Sequence, residues 1–186
     1  MKNKNIINMI RSMSLLMLLV ISLSLLTGCF KLKSDSQIAD ENFMKLISAL
    51  QDKNQDDVRD LFAPNIVSNI ENFDNSISDL IAYYDGTYKS FYSAGLGTER
   101  DKNSGIEKKW YNMSCDITTS VDTFRIATIW YVKDTGDNKN VGIWSLYIIK
   151  FGDDPNQRYS YGGDGLWTNG INIEKTHEPI DSTIND

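Results

Sequence analysis

The sequence predicts an α+β domain, with N-terminal helices packed on a curved antiparallel β-sheet. Two observations carry that prediction. Apolar residues recur at helical spacing as far as Tyr84, and beyond Gly86 the period falls to two while β-branched and aromatic residues take over. Because the two kinds of element are segregated along the chain, the helices pack most simply across one face of the sheet.

Residues 1–28 stand apart from that domain. Lys2, Lys4 and Arg11 precede an apolar run free of acidic residues, which is the charge order of a secretory signal peptide. The run from Met13 to Leu26 holds 14 residues, whereas a membrane-spanning helix needs roughly 20. That length disfavours an uncleaved anchor, and the polarity of the remaining chain disfavours a buried core helix. The run ends in Leu26-Thr27-Gly28-Cys29, which resembles the lipobox of bacterial lipoproteins at every place. The resemblance implies cleavage before Cys29 and a diacylglyceryl group on its sulfur, with palmitate as the natural label. Two acyl chains anchor stably, at about 0.8 kcal/mol per buried methylene. The expected organisation is a signal peptide over 1–28, a lipidated tether over 29–36, a single domain over 37–175 and a polar tail over 176–186. The expected address is the extracytoplasmic face of a cell membrane, within the cell envelope.

From Cys29 onward the chain carries 16 basic and 25 acidic residues, a formal charge of −9. Nucleic acid and anionic headgroups would repel such a body rather than release counterions to it. If Cys29 carries lipid, Cys115 is the one remaining cysteine, so neither an internal disulfide nor a cysteine-based zinc site can form. Cys115 reads as a buried small apolar residue. A nucleophilic role would need an adjacent base, and the one histidine, His177, falls in the polar tail.

Three helices are expected. Ile38, Ala39, Phe43, Leu46, Ile47 and Leu50 make the first amphipathic. Asn54 with Asp57 signals the start of a second, whose stripe of Val58, Leu61 and Phe62 ends before Pro64. Phe73, Ile77, Leu80, Ile81 and Tyr84 give the cleanest helical series, closed by Asp85-Gly86. Four strands follow over 87–96, 106–119, 122–134 and 141–151, with turns at 97–105, 119–122 and 135–140. Tyr111, Met113, Cys115 and Ile117 share a face of the second strand; Phe124, Ile126, Thr128, Trp130 and Val132 share a face of the third. The fourth is apolar on both faces, which suggests a doubly covered position. Residues 152–165 read as a long loop.

The stretches "LISALQDKNQDDVRDLFAPNI", "IAYYDGTYKSFYS" and "ITTSVDTFRIATIWYVKDTGDNKNVGIWSLYII" resemble the lipoprotein family named domain of unknown function 5104, over most of residues 37–152. That family in turn resembles the nuclear transport factor 2-like, or cystatin-like, cone, in which a bent antiparallel sheet wraps helices. The resemblance brings no catalytic residue with it.

Candidate chemistry is sparse. Gly95-Leu96-Gly97 lacks the third glycine and the helix of a dinucleotide loop and reads as a bent strand or hairpin. Asp134, Asp137 and Asn138 have a calcium-like composition but not EF-hand spacing, so a turn is favoured. No cofactor or metal is expected. Rings concentrate on the third helix and the sheet, and a cone leaves a cavity between those elements that could take an apolar or peptide-like ligand. Tyr84, Tyr88, Tyr111, Trp130 and Trp144 are the candidate lining residues. The expected function is a non-catalytic, membrane-anchored module that binds a small ligand, a peptide or a partner protein of the envelope. The alternative is a cone-fold isomerase or dehydratase built on a pocket Asp and Tyr, with Asp116 or Asp122 as the candidate acid.

Overall fold

The computed structural model describes residues 33–151 and 168–173. The signal segment, Cys29, the loop after the fourth strand, His177 and the tail lie outside the described residues. Within them the chain is α+β, with four helices followed by a five-stranded sheet that is not closed.

Helix α1 spans Asp35–Gln51, so Asp35 and Ser36, expected in the tether, form its first turn. It buries Ala39, Phe43, Leu46, Ile47 and Leu50, as its spacing predicts. Lys53 in the left-handed region (φ 51°) ends that direction of the chain. Asn54 starts α2, Gln55–Asp60, where its side-chain oxygen accepts from the N–H groups of Asp56 and Asp57 at 3.1 and 3.2 Å. Pro64 was expected only to terminate a helix. It also opens α3, Pro64–Asn69, because at the first helical position its missing N–H has no intrahelical partner to lose. Helix α4, Phe73–Tyr83, buries Phe73, Ile77, Leu80 and Ile81.

The strands are β1 Tyr88–Asn103, β2 Ile106–Thr119, β3 Thr123–Asp134, β4 Gly142–Lys150 and β5 Gly170–Ile173. Their spatial order is their chain order, antiparallel from β1 to β4, with β5 parallel to β4. Strand β1 runs seven residues past its expected end at 96, and the turn is only Ser104-Gly105, both at positive φ (50° and 82°). The charges that suggested a loop are cross-strand partners instead. Asp101 lies opposite Lys108 and Lys102 opposite Glu107. Strand β5 was not expected at all. Bulges near Ser93/Gly95, Lys109/Trp110 and Ile129/Trp130 bend the strands.

One face of the sheet meets the helices. Tyr111, Met113, Cys115 and Ile117 of β2, Phe124, Ile126 and Trp130 of β3, and Ile143, Leu146 and Ile148 of β4 form a single core with them. Strand β4 is buried on its other face as well, through Tyr147 and Ile149. Helix α1 is pinned at both ends. The Asp35 carboxylate accepts from Lys109 Nζ (2.5 Å) and Tyr111 Oη (3.1 Å), while Gln51 donates to the Gly86 carbonyl and accepts from the Tyr88 N–H. Its N-terminus therefore lies over the start of β2, and its C-terminus lies beside the start of β1.

Candidate functional site

The five candidate lining residues do not surround one space. Tyr84, Tyr111 and Trp130 are 2%, 1% and 6% exposed and belong to the core. Tyr88, half-buried, opens β1, and Trp144, half-buried, sits at the bulge where β4 passes Ile129 and Trp130. The described cavities lie elsewhere. One groove of about 350 Å³ runs between Lys45, Ala49, Asp57 and Leu61, and another of about 470 Å³ between Arg59, Phe62, Val67 and Val141.

The core is chemically quiet where catalysis would need it active. Cys115 is 0% exposed, and burial pushes its thiol up to about 12, far from a nucleophilic thiolate at neutral pH. Tyr84 is likewise pushed up by burial to about 12, and among the described residues its hydroxyl has no hydrogen-bond partner. The Thr128 hydroxyl is in the same condition. Asp116 is on the opposite face, where Arg125 grips it through two bonds of 2.5 and 2.7 Å. Asp122 belongs to the β2–β3 turn, where it accepts from the Thr123 N–H.

The acidic loop after β3 is a turn built on its own carboxylates. Asp134 accepts from Asn140 Nδ2 and from the N–H groups of Gly136 and Asp137, which hold it below the ordinary carboxylate range. Asp137 accepts from the Lys139 N–H and from Asn65, and is lowered for the same reason. These lone pairs are committed to the loop and to α3. Among the described residues no group of three acidic, histidine or cysteine side chains is placed to hold a metal ion.

Rings that a partner can reach lie on the sheet face turned away from the helices. Trp110 and Tyr131, opposed across β2 and β3, stack at 5.3 Å with 28° between their planes, and both are half-buried. Asn112 follows on β2. Its amide donates to Glu99 at 2.5 Å, while its buried oxygen has no partner among the described residues. Gly97 lies opposite Asn112, where an added Cβ would make only ordinary contacts of 3.6 Å or more. Tyr92, opposite Asp116, is 70% exposed. A strip of β1 and β2 thus carries rings at its two ends and small or polar groups between them.

The family described as domain of unknown function 5104 matches residues 45–151. The chain belongs to that family. The matched part of this 5104 domain runs from within α1 to the end of β4, so it includes the Trp110–Tyr131 pair, Asn112 and the Asp116–Arg125 pair. No curated protein matches the chain. Among the described residues no helix is long and apolar enough to cross a membrane.

The sequence does carry a signal for the accessible rings. Trp110 and Tyr131 have the opposite parity to the apolar series Tyr111–Ile117 and Phe124–Trp130. Parity alone puts them on the other face.

Proposed function

We infer that this 5104 domain is the body of a lipoprotein, anchored through Cys29 on the extracytoplasmic face of a membrane, and that it binds rather than transforms its partner. The observation that carries the binding reading is the stacked Trp110–Tyr131 pair, two large rings left half-exposed on a sheet face although the core has ample apolar material. Such a pair offers flat apolar area with low conformational entropy to lose, which suits a small ligand, a peptide or an envelope protein. The pairing of Asp116 with Arg125 argues against Asp116 as a free acid or base. Helices across one face of a bulged sheet support a likeness to the nuclear transport factor 2-like cone. In this domain the space beneath the sheet is packed with side chains, so the outer strip is the better candidate for contact.

The anchor is tested by metabolic labelling with palmitate. Label present in the native chain and absent from Cys29→Ala supports it, and unchanged label in the variant defeats it. Binding is tested by native mass spectrometry of the protein drawn from its own envelope. A co-purifying species that is lost in a folded Trp110→Ala variant supports the strip. A species retained at full occupancy in that variant places binding elsewhere.

A further inference from the structure

We propose that the end of the domain bearing the β1–β2 turn faces the bilayer, with Ile106 and the flanking Lys102 and Lys108 among lipid headgroups. The inference rests on the anchored reading above and adds an orientation to it. Its first support is where the tether enters. From Cys29 to Asp35 there are six peptide links, a reach of about 20 Å at full extension. Asp35 is fixed over Lys109 and Tyr111 of β2. The Ser104-Gly105 turn lies four to five residues beyond Lys109 on the same strand, an overhang of about 15 Å. The turn therefore projects past the point where the tether arrives by most of the length of the tether itself.

The second support is charge. The body carries −9, yet at this end the charges balance, with Arg100, Lys102, Lys108 and Lys133 against Glu99, Asp101, Glu107 and Asp134. Glu107 takes Lys133 at 2.7 Å, Arg100 at 3.5 Å and Lys102 at 3.8 Å, and Asp134 has Lys108 at 3.8 Å. Arg100, Lys102 and Lys108 remain 54%, 64% and 42% exposed, free to reach phosphate. The opposite end, around the β2–β3 turn and the end of α1, carries Asp52, Asp85 and Asp122 against Lys53 and Lys89. An anionic surface repels that end more than this one, so electrostatics and tether select the same orientation. The third support is Ile106, an apolar side chain 42% exposed beside a polar turn.

The test uses the full lipidated chain on mixed phosphatidylethanolamine–phosphatidylglycerol vesicles. A thiol-reactive fluorophore is placed by Ile106→Cys or, as control, by Val121→Cys, a position 61% exposed on the opposite turn. Buried Cys115 does not compete for the label, and the Cys29 sulfur is taken by lipid. On vesicles that carry the protein through flotation, the label at 106 is expected to be shielded several-fold from an aqueous quencher relative to the label at 121. Adding Lys102→Glu and Lys108→Glu is expected to remove that shielding without loss of flotation. Equal quenching at 106 and 121 on floating protein overturns the orientation and leaves the anchor standing. Shielding that survives the two Glu substitutions overturns the headgroup role of the lysines. Protein that fails to float defeats the anchor, and the orientation with it.

Discussion

Two adjacent tyrosines at the end of α4 are expected to respond to the same substitution with opposite sign. Tyr84 is 2% exposed and its hydroxyl is buried without a partner among the described residues, a desolvation cost on the order of 1–3 kcal/mol. Removing the hydroxyl in Tyr84→Phe keeps the ring against Phe124, at 5.2 Å, and relieves that cost. The variant should gain about 1 kcal/mol, read as a higher urea midpoint at unchanged slope. Tyr83 also packs on Phe124, at 5.9 Å, but its hydroxyl accepts the Lys150 N–H at 2.9 Å. Tyr83→Phe orphans that N–H and should lose about 1 kcal/mol. The pH dependence separates them further. Burial holds the Tyr84 phenol up at about 12 against an ordinary 10.0, so the unfolded chain ionises first and stability falls as pH rises above 10.0. Tyr84→Phe should remove that part of the alkaline loss. Equal destabilisation in both variants would refute the reasoning, because it would mean that the Tyr84 hydroxyl has a partner inside the domain.

The helical phase of α4 makes a second contrast. Leu80→Ala empties a fully buried position and should cost about 2–5 kcal/mol, while Asp79→Ala, exposed on the same turn, should stay within about 0.5 kcal/mol. Denaturation curves of the two variants check it, and equal losses would mean the wrong face was assigned. Acid should weaken the domain through the β3–β4 loop. Asp134, lowered below its ordinary 3.8 first by Asn140, contributes stability that is present above 3.8 and lost as pH falls through its folded value. Urea midpoints taken from neutral pH down to about pH 2 should therefore fall less steeply in Asp134→Asn than in the native chain.

The helices were legible because their information is local. The series Phe73, Ile77, Leu80, Ile81 already contained the buried face of α4, and Asn54 already named the start of α2. Pro64 misled because the same residue stops one helix and starts another, and only the backbone beyond it decides. The end of β1 was missed for a non-local reason. The sequence "TERDKNSG" has the composition of a loop, and it becomes strand only because Lys108 and Glu107 stand opposite Asp101 and Lys102. Strand β5 has four residues and a parallel partner far back in the chain, so neither period nor turn marks it. For the site, the sequence placed Tyr111 with Met113 and Cys115, and Trp130 with Phe124 and Ile126. Those neighbours were enough to put both rings in the core. Trp110 and Tyr131 have the opposite parity, which places them on the other face.

The charges along the exposed edge of β1 disfavour pairing of this strand with a second copy of itself. Residues 97–103 are exposed on both faces, and among the described residues no strand lies on the outer side of β1. Such an edge invites antiparallel addition of a second copy. In that pairing the two-fold axis stands perpendicular to the sheet, so residues opposed across it come from the same face. Glu99 and Asp101 occupy one face and Arg100 and Lys102 the other. No register of self-pairing through this stretch therefore sets an acid against a base, and the registers centred on Arg100 and Asp101 set acid against acid and base against base, which destabilises by up to about 1 kcal/mol per pair. A strand that fits must present a base toward Asp101 and an acid toward Lys102. Lys108 and Glu107 of β2 meet that requirement on the inner side, and a second copy of β1 does not meet it on the outer one.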